Sequence, residues 1–254
     1  QNGAQVVAVC DSDPRKLKQA QELFDLPSDK LFLSEDEFFR AGRLADLLAI
    51  CTLDQYHYRH AMKAIPIGYD ILLEKPITTD IEKCKDIANA VKQHQSKVYL
   101  CYVLRYAPFF IKLRELIASG ELGQVASVNL TECVAYWHQA HSFVRGNWRN
   151  SEESSPMIIA KCCHDLDILY YLVDKEPQAV SSMGNLLFFK PENAPEGASD
   201  YCCDCPHAQT CAYNNLNFYA DPDQTGWIRK TGWYEGELGD REKMAICLSN
   251  KENP

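Results

Sequence analysis

The sequence predicts an α/β protein, a doubly wound parallel sheet followed by an α+β domain with an open, largely antiparallel sheet. Three observations carry this. Short apolar runs alternate with amphipathic helical stretches from about residue 5 to 101, the pattern of strands covered on both faces by helices. Three of those runs end in polar residues, at Val6–Asp11, Leu47–Thr52 and Ile71–Lys75. After Tyr102 the periodicity shifts toward two, as in a sheet with one face wetter than the other.

The elements follow in order. Val6 to Cys10 is the first strand. Asp13 caps a helix with Pro14 at its first position and Leu17, Ala20 and Leu23 at helical spacing. Ser34 with Glu37 forms a capping box, as does Thr79 with Glu82, which opens a helix faced by Ile81, Cys84, Ile87, Ala88 and Val91. Leu47–Ile50, Ile71–Leu73 and Val98–Cys101 are the later strands. A helix from Pro108 to Ser119 stops at Gly120. Ala126, Val128, Leu130 and Val134 alternate with polar residues as a strand, and another strand runs from Ala179 to Phe189. Between them one apolar helix spans Met157 to Val173 and carries His164.

A chain of 254 residues with 46% hydrophobic content can build two domains and a sizeable core. Its net charge of −9 argues against phosphate backbones and anionic membranes, whose contacts need clustered Lys and Arg. No stretch approaches the roughly 18 apolar residues of a membrane span. The expected partner is therefore a small molecule, with neither nucleic acid nor membrane. Most of the twelve cysteines sit inside strand or helix patterns, where thiols serve as small hydrophobes. That favours a reducing compartment, the cytoplasm, although the start at Gln1 leaves an export signal ahead of it open.

Glu74-Lys75-Pro76 after a buried strand, with Asp11, Thr52, Arg105 and the segment Cys162-Cys163-His164-Asp165-Leu166-Asp167 in this order, resembles the Gfo/Idh/MocA family of NAD(P)-dependent oxidoreductases over residues 5 to about 175. The resemblance implies a Rossmann-type cofactor domain and an α+β substrate domain. The open sheet expected in the second domain offers a flat face that commonly pairs with a copy of itself, so a homo-oligomer is expected. Asp11 would accept hydrogen bonds from the adenosine ribose and favour NAD. Arg15 beside it could pair with a 2′-phosphate, which keeps NADP open; the bland reading of Asp11 is a turn residue. Thr52 and His57 stand where the family has Thr-Pro-Asn-x-x-His, but Leu53 and Asp54 depart from that pattern. His57 either touches the cofactor or is a structural histidine. Glu74, Pro76 and Arg105 complete the expected cofactor set.

Lys75 is the foremost catalytic candidate, since an ammonium at a strand's carboxyl end can polarise a substrate oxygen. The alternative is a surface lysine paired with Glu74. His164 can exchange a proton with a carbinol oxygen. Many family members carry an aspartate four residues before this histidine, where this chain has Ala160. Lys161 either replaces that polar group or pairs with Asp165. Asp167, Trp148 and Arg149 are candidate substrate residues, although Asp167 either orients His164 or ties its helix to the neighbours. Trp148 and Arg149 with Tyr136, Trp137, His138 and His141 mix aromatic faces and donors as a polyol site does, and as an interdomain or subunit surface also would.

A dinucleotide fold places its ribose-binding acid at the end of the second strand, about 20 residues after a glycine-rich turn. Here the first strand already ends in Asp11 and no G-x-G-x-x-G occurs. The expectation is that a first strand and phosphate loop belong ahead of this sequence and that the second domain extends past Pro254. Residues 1–102 are assigned to the cofactor and 103–254 to substrate and assembly. Cys202-x-x-Cys205 with Cys211, and His207 or Cys203 nearby, could hold a zinc ion, or could be free thiols or a loop disulfide. The expected reaction is hydride transfer between nicotinamide and a secondary alcohol or ketone of a sugar, inositol or related polyol. The rivals are NAD-dependent glycoside cleavage and a non-catalytic nucleotide-binding regulator.

Overall fold

The computed structural model describes residues 3–215. The chain divides into two compact units, residues 1–132 with 147–176, and 133–146 with 177–254.

In the first unit β1 (Val9–Cys10) pairs in parallel with β2 (Leu31–Phe32), and α1 (Pro14–Phe24) runs between them. Asp13 caps α1 by accepting the Arg15 N–H, and Pro14 fits the first turn because that position has no helical acceptor for an N–H. α2 (Glu35–Arg40) is capped by Ser34, whose Oγ accepts the Glu37 N–H at 3.3 Å. A second parallel sheet follows in the order β3 (Leu47–Ile50), β4 (Asp70–Leu73), β5 (Val98–Leu100), linked by α3 (Asp54–Ile67) and α4 (Ile81–His94). The cap of α4 is Asp80, which accepts from Glu82 N and Lys83 N, and not Thr79. A carboxylate adjacent to the helix start takes both orphan N–H groups and displaces the hydroxyl from that task.

Register aligns Leu48 with Ile71 and Val98, and Ile50 with Leu73 and Leu100. This face packs on Ala61, Ala64 and Ile65 of α3 and Ile87 and Ala90 of α4, and Ile71, Leu73, Ala61, Ala64 and Ile65 are fully buried. On the opposite face Leu47, Leu72 and Tyr99 are exposed. The unbroken apolar runs predicted burial on both faces; among the described residues α3 and α4 supply it on one.

Beyond β5, α5 (Pro108–Ala118) ends at Ser119, and Gly120 follows with φ +80. In the second unit lies the short α6 (Tyr136–Gln139). Residues 126–134 and 179–187 form no ladder among the described residues, contrary to the strands expected there. Alternation selects which face of a strand is buried, but a ladder also needs a partner. The expected single helix of residues 157–173 is two, α7 (Met157–Ala160) and α8 (Cys163–Val173), broken at Lys161 and Cys162. No helix among the described residues is long and apolar enough to cross a membrane.

Candidate active site

β4 ends at Leu73, so Glu74 and Lys75 leave the sheet at its carboxyl edge. The break between α7 and α8 sets what Lys75 meets. In a continuous helix the Ala160 carbonyl would accept the His164 N–H. Here His164 N donates to the Lys161 carbonyl at 3.3 Å, and the Ala160 carbonyl instead accepts Lys75 Nζ at 2.8 Å. At position 160, where the resemblance implies an aspartate side chain, a main-chain oxygen thus receives Lys75.

His164 lies in the first turn of α8, with the Tyr102 ring edge-on at 6.0 Å. Its Nδ1 is buried and has no hydrogen-bond partner. Burial first, then the charges of Lys75 and Lys161, hold the imidazole below its ordinary pKa. The ring is therefore neutral near pH 7 and can accept a proton. Lys161 does not point its charge at Asp165; its Nζ lies 3.2 Å from Glu132.

Arg105 and Asp167, expected on cofactor and substrate respectively, close on each other. Arg105 Nε and Nη2 donate to the two carboxylate oxygens at 2.8 and 2.6 Å, and the Asp167 side chain is 7% exposed. The hydrogen bonds to Asp167 raise the Arg105 pKa further. The Tyr171 ring lies 5.3 Å from the guanidinium. A planar fork satisfying a buried carboxylate leaves that carboxylate a structural tie, not a free acceptor.

His57 is also a tie. It is buried, with Nδ1 2.7 Å from the Pro76 carbonyl and Nε2 2.9 Å from the Thr52 carbonyl, so both ring nitrogens are engaged by main chain. The Thr52 hydroxyl meets His60 Nδ1 at 3.1 Å, and His60 Nε2 meets Glu35 at 2.6 Å. Burial lowers the His60 pKa despite Glu35; the neutral ring donates from Nε2 and accepts from Thr52 at Nδ1. Glu35 also receives Arg59 and Lys63. Burial alone would raise its carboxyl, but the bonds from Lys63, His60 and Arg59 bring it down to about 2.

At the end of β1, Asp11 is half-exposed; its Oδ1 accepts the Asp13 N–H at 2.9 Å and its Oδ2 lies 3.8 Å from Lys16. Arg15 turns away to Asp13 through Nε and Nη2, and those bonds hold the Asp13 carboxyl down at about 2. Glu74 folds back to accept the Lys75 N–H at 3.3 Å.

Trp148 and Arg149 belong to the first unit, whereas Tyr136, Trp137, His138 and His141 belong to the second, so the aromatic group read from sequence is divided. Trp148 donates its indole N–H to Asp54, and Arg149 pairs with Glu153 at 3.4 Å. Asp54, noted in the sequence only as a departure, is 3% exposed. The zinc reading of Cys202, Cys205 and Cys211 is not supported: among the described residues no three His, Cys, Asp or Glu side chains converge as ligands, and His207 Nε2 instead meets the Glu196 carbonyl. Spacing along the chain did not translate into convergence, since Cys202–Asp204 form a helical turn and Cys211 Sγ accepts the Tyr213 N–H.

A Gfo/Idh/MocA family model described as an oxidoreductase family with NAD-binding Rossmann fold matches residues 1–102, and the C-terminal alpha/beta domain of the same family matches residues 114–221. YteT of Bacillus subtilis is 26% identical over 82% of this chain and 50% of its own length. Inositol 2-dehydrogenase/D-chiro-inositol 3-dehydrogenase of Halalkalibacterium halodurans is 25% identical over 71% of this chain and 48% of its own. The chain thus spans about half the length of these curated relatives. Among solved structures, the WlbA dehydrogenase of Bordetella pertussis with NADH and UDP-GlcNAcA superposes with TM-score 0.55 at 23% identity, covering 67% of this chain and 48% of that one. Myo-inositol 2-dehydrogenase of Lactobacillus plantarum does so with TM-score 0.58 at 16% identity, covering 69% and 50%. Both likenesses concern the fold.

Proposed function

Because this chain belongs to the Gfo/Idh/MocA oxidoreductase family, we propose that it carries the reacting groups of an NAD-dependent dehydrogenase for a sugar, inositol or related polyol. Residues 1–102 are assigned to the cofactor and 103–254 to substrate and assembly. The observation that carries the reading is the pair formed by Lys75, held by the Ala160 carbonyl, and His164, whose buried Nδ1 has no partner. An ammonium and an unpartnered neutral imidazole suit a substrate hydroxyl that must lose a proton as its carbon loses hydride. Nicotinamide, when bound, accepts or returns that hydride.

Lys75 binds the reacting oxygen and stabilises negative charge developing on it. His164 takes the hydroxyl proton on its imidazole in oxidation and returns it in reduction. Asp11 supports NAD over NADP, because Arg15, which could otherwise receive a 2′-phosphate, is turned to Asp13. Free thiols at every described cysteine support the cytoplasm. Self-association is supported by the exposed apolar segment Val180, Met183, Leu186, Leu187 and Phe188, and light scattering tests it.

The primary test is an NADH fluorescence titration of the full-length protein, followed by a screen of sugars and polyols for cofactor reduction. NADH binding with turnover on a polyol is expected. Binding without turnover on any alcohol would point to a regulator instead, and absence of binding would overturn the cofactor reading.

A further inference from the structure

We propose that Asp54 is a positioning residue for Lys75, acting through the loop 147–156 and the carbonyl of Ala160; this rests on the dehydrogenase reading above for its catalytic consequence. Asp54 opens α3 immediately after the turn that leaves β3. Its Oδ1 accepts the Gln55 N–H at 3.0 Å. Its Oδ2 accepts the Trp148 indole N–H and the Ser155 main-chain N–H, both at 3.1 Å, from residues about a hundred positions away in sequence. At 3% exposure, the carboxylate is held by three donors and by the positive end of α3.

The connection to Lys75 is short and stiff. The loop closes on itself through Ser154 and Asn150, with Ser155 fully buried. Pro156 then caps α7, and its carbonyl accepts the N–H groups of both Ile159 and Ala160 at 2.9 Å, which ties Ala160 to the residue next to the pinned Ser155. The Ala160 carbonyl is the acceptor of Lys75 Nζ. One turn along α3 from Asp54, His57 holds the Pro76 carbonyl, the residue after Lys75. The start of α3 therefore fixes Lys75 twice, its backbone through His57 and its ammonium through Asp54, the loop and Ala160. An amide at position 54 offers only one oxygen, and its NH₂ would face either the Gln55 N–H or the two long-range donors. A carboxylate accepts all three.

The test compares wild type with Asp54→Ala, Asp54→Asn and Trp148→Phe by two readouts. The first is labelling of Lys75 with an amine-selective reagent, read by mass spectrometry, with Lys63 as the internal control for folding. Loss of the pinned carbonyl should raise Lys75 labelling several-fold in Asp54→Ala and less in Asp54→Asn and Trp148→Phe, with Lys63 unchanged. The second is a split of kinetic constants on an active polyol, where kcat should fall ten-fold or more while KM for NAD changes less than two-fold. Unchanged Lys75 labelling in all variants that keep Lys63 protected would overturn the proposal, as would raised labelling with unchanged kcat. If wild type turns over no alcohol, the function reading fails while the labelling still decides whether Asp54 positions Lys75. Should Asp54→Ala not fold, the other two variants decide the matter.

Discussion

The two faces of β3–β4–β5 share one backbone and one composition, yet they differ completely in burial. Ile71 and Leu73 are fully enclosed by α3 and α4, whereas Leu72 between them is 36% exposed and Tyr99 beside it 50%. The strand is a continuous apolar run, so hydropathy alone assigns all three leucine and isoleucine side chains the same environment. What separates them is which helices the chain places on each side. Stability in this region should therefore follow the face, and chemistry should follow the strand's end.

The largest effect expected is on turnover, at the end of β4. Lys75→Ala should lower kcat by about 10²–10⁴-fold, the usual contribution of a positioned acid–base group, while leaving the unfolding midpoint nearly unchanged. Steady-state kinetics alongside thermal unfolding checks both halves. For His164 as a base, activity should fall as pH drops through a value below the ordinary 6.5, because burial and the neighbouring lysines favour its neutral form. A limb above 6.5 would contradict its burial.

Next come the groups that interior packing holds. Arg105→Ala strands the Asp167 carboxylate at 7% exposure, and about 3–5 kcal/mol of stability should be lost in urea unfolding. Ile71→Ala on the enclosed face should cost about 2–5 kcal/mol through lost burial and the cavity left behind.

Glu35→Gln should cost about 1–2 kcal/mol near pH 7, discounted for its partly exposed partners Arg59 and Lys63. Its carboxyl lies at about 2, below the ordinary 4.5, so the stabilisation is present above 4.5 and is lost as pH falls through 2. Unfolding curves of the two proteins should differ by a constant amount between pH 7 and 5 and converge in strong acid. The smallest effect should be Leu72→Ala on the open face, within about 0.5 kcal/mol as for ordinary surface changes. A loss as large as that of Ile71→Ala would show that the second face is covered in solution.

Much of this was legible in the residues themselves. Parallel strands, the Asp13 and Ser34 caps and the stop of α5 before Gly120 depend on local geometry, which neighbouring residues dictate. The place of Lys75 after a strand and of His164 on a helix was legible because a strand end and a short motif are contiguous in the chain. The closure of Arg105 on Asp167 was not, since the two are 62 residues apart and each looks equally available to a ligand. Nor was the break after Ala160: no side chain marks it, and its consequence is a main-chain carbonyl, which every residue possesses.

The sequence by itself determined the alternation of strand and helix, the placement of polar residues at strand ends, and the net negative charge, because these rest on periodicity and composition. Tertiary structure alone decided which face of the sheet is enclosed, that Asp54 gathers Trp148 and Ser155, and that Lys75 is oriented by Ala160. Those are long-range contacts between groups of ordinary type. Hydrogen-bond partners are chosen by where the folded backbone brings donors and acceptors within 3 Å or so, and one-dimensional spacing does not encode that distance.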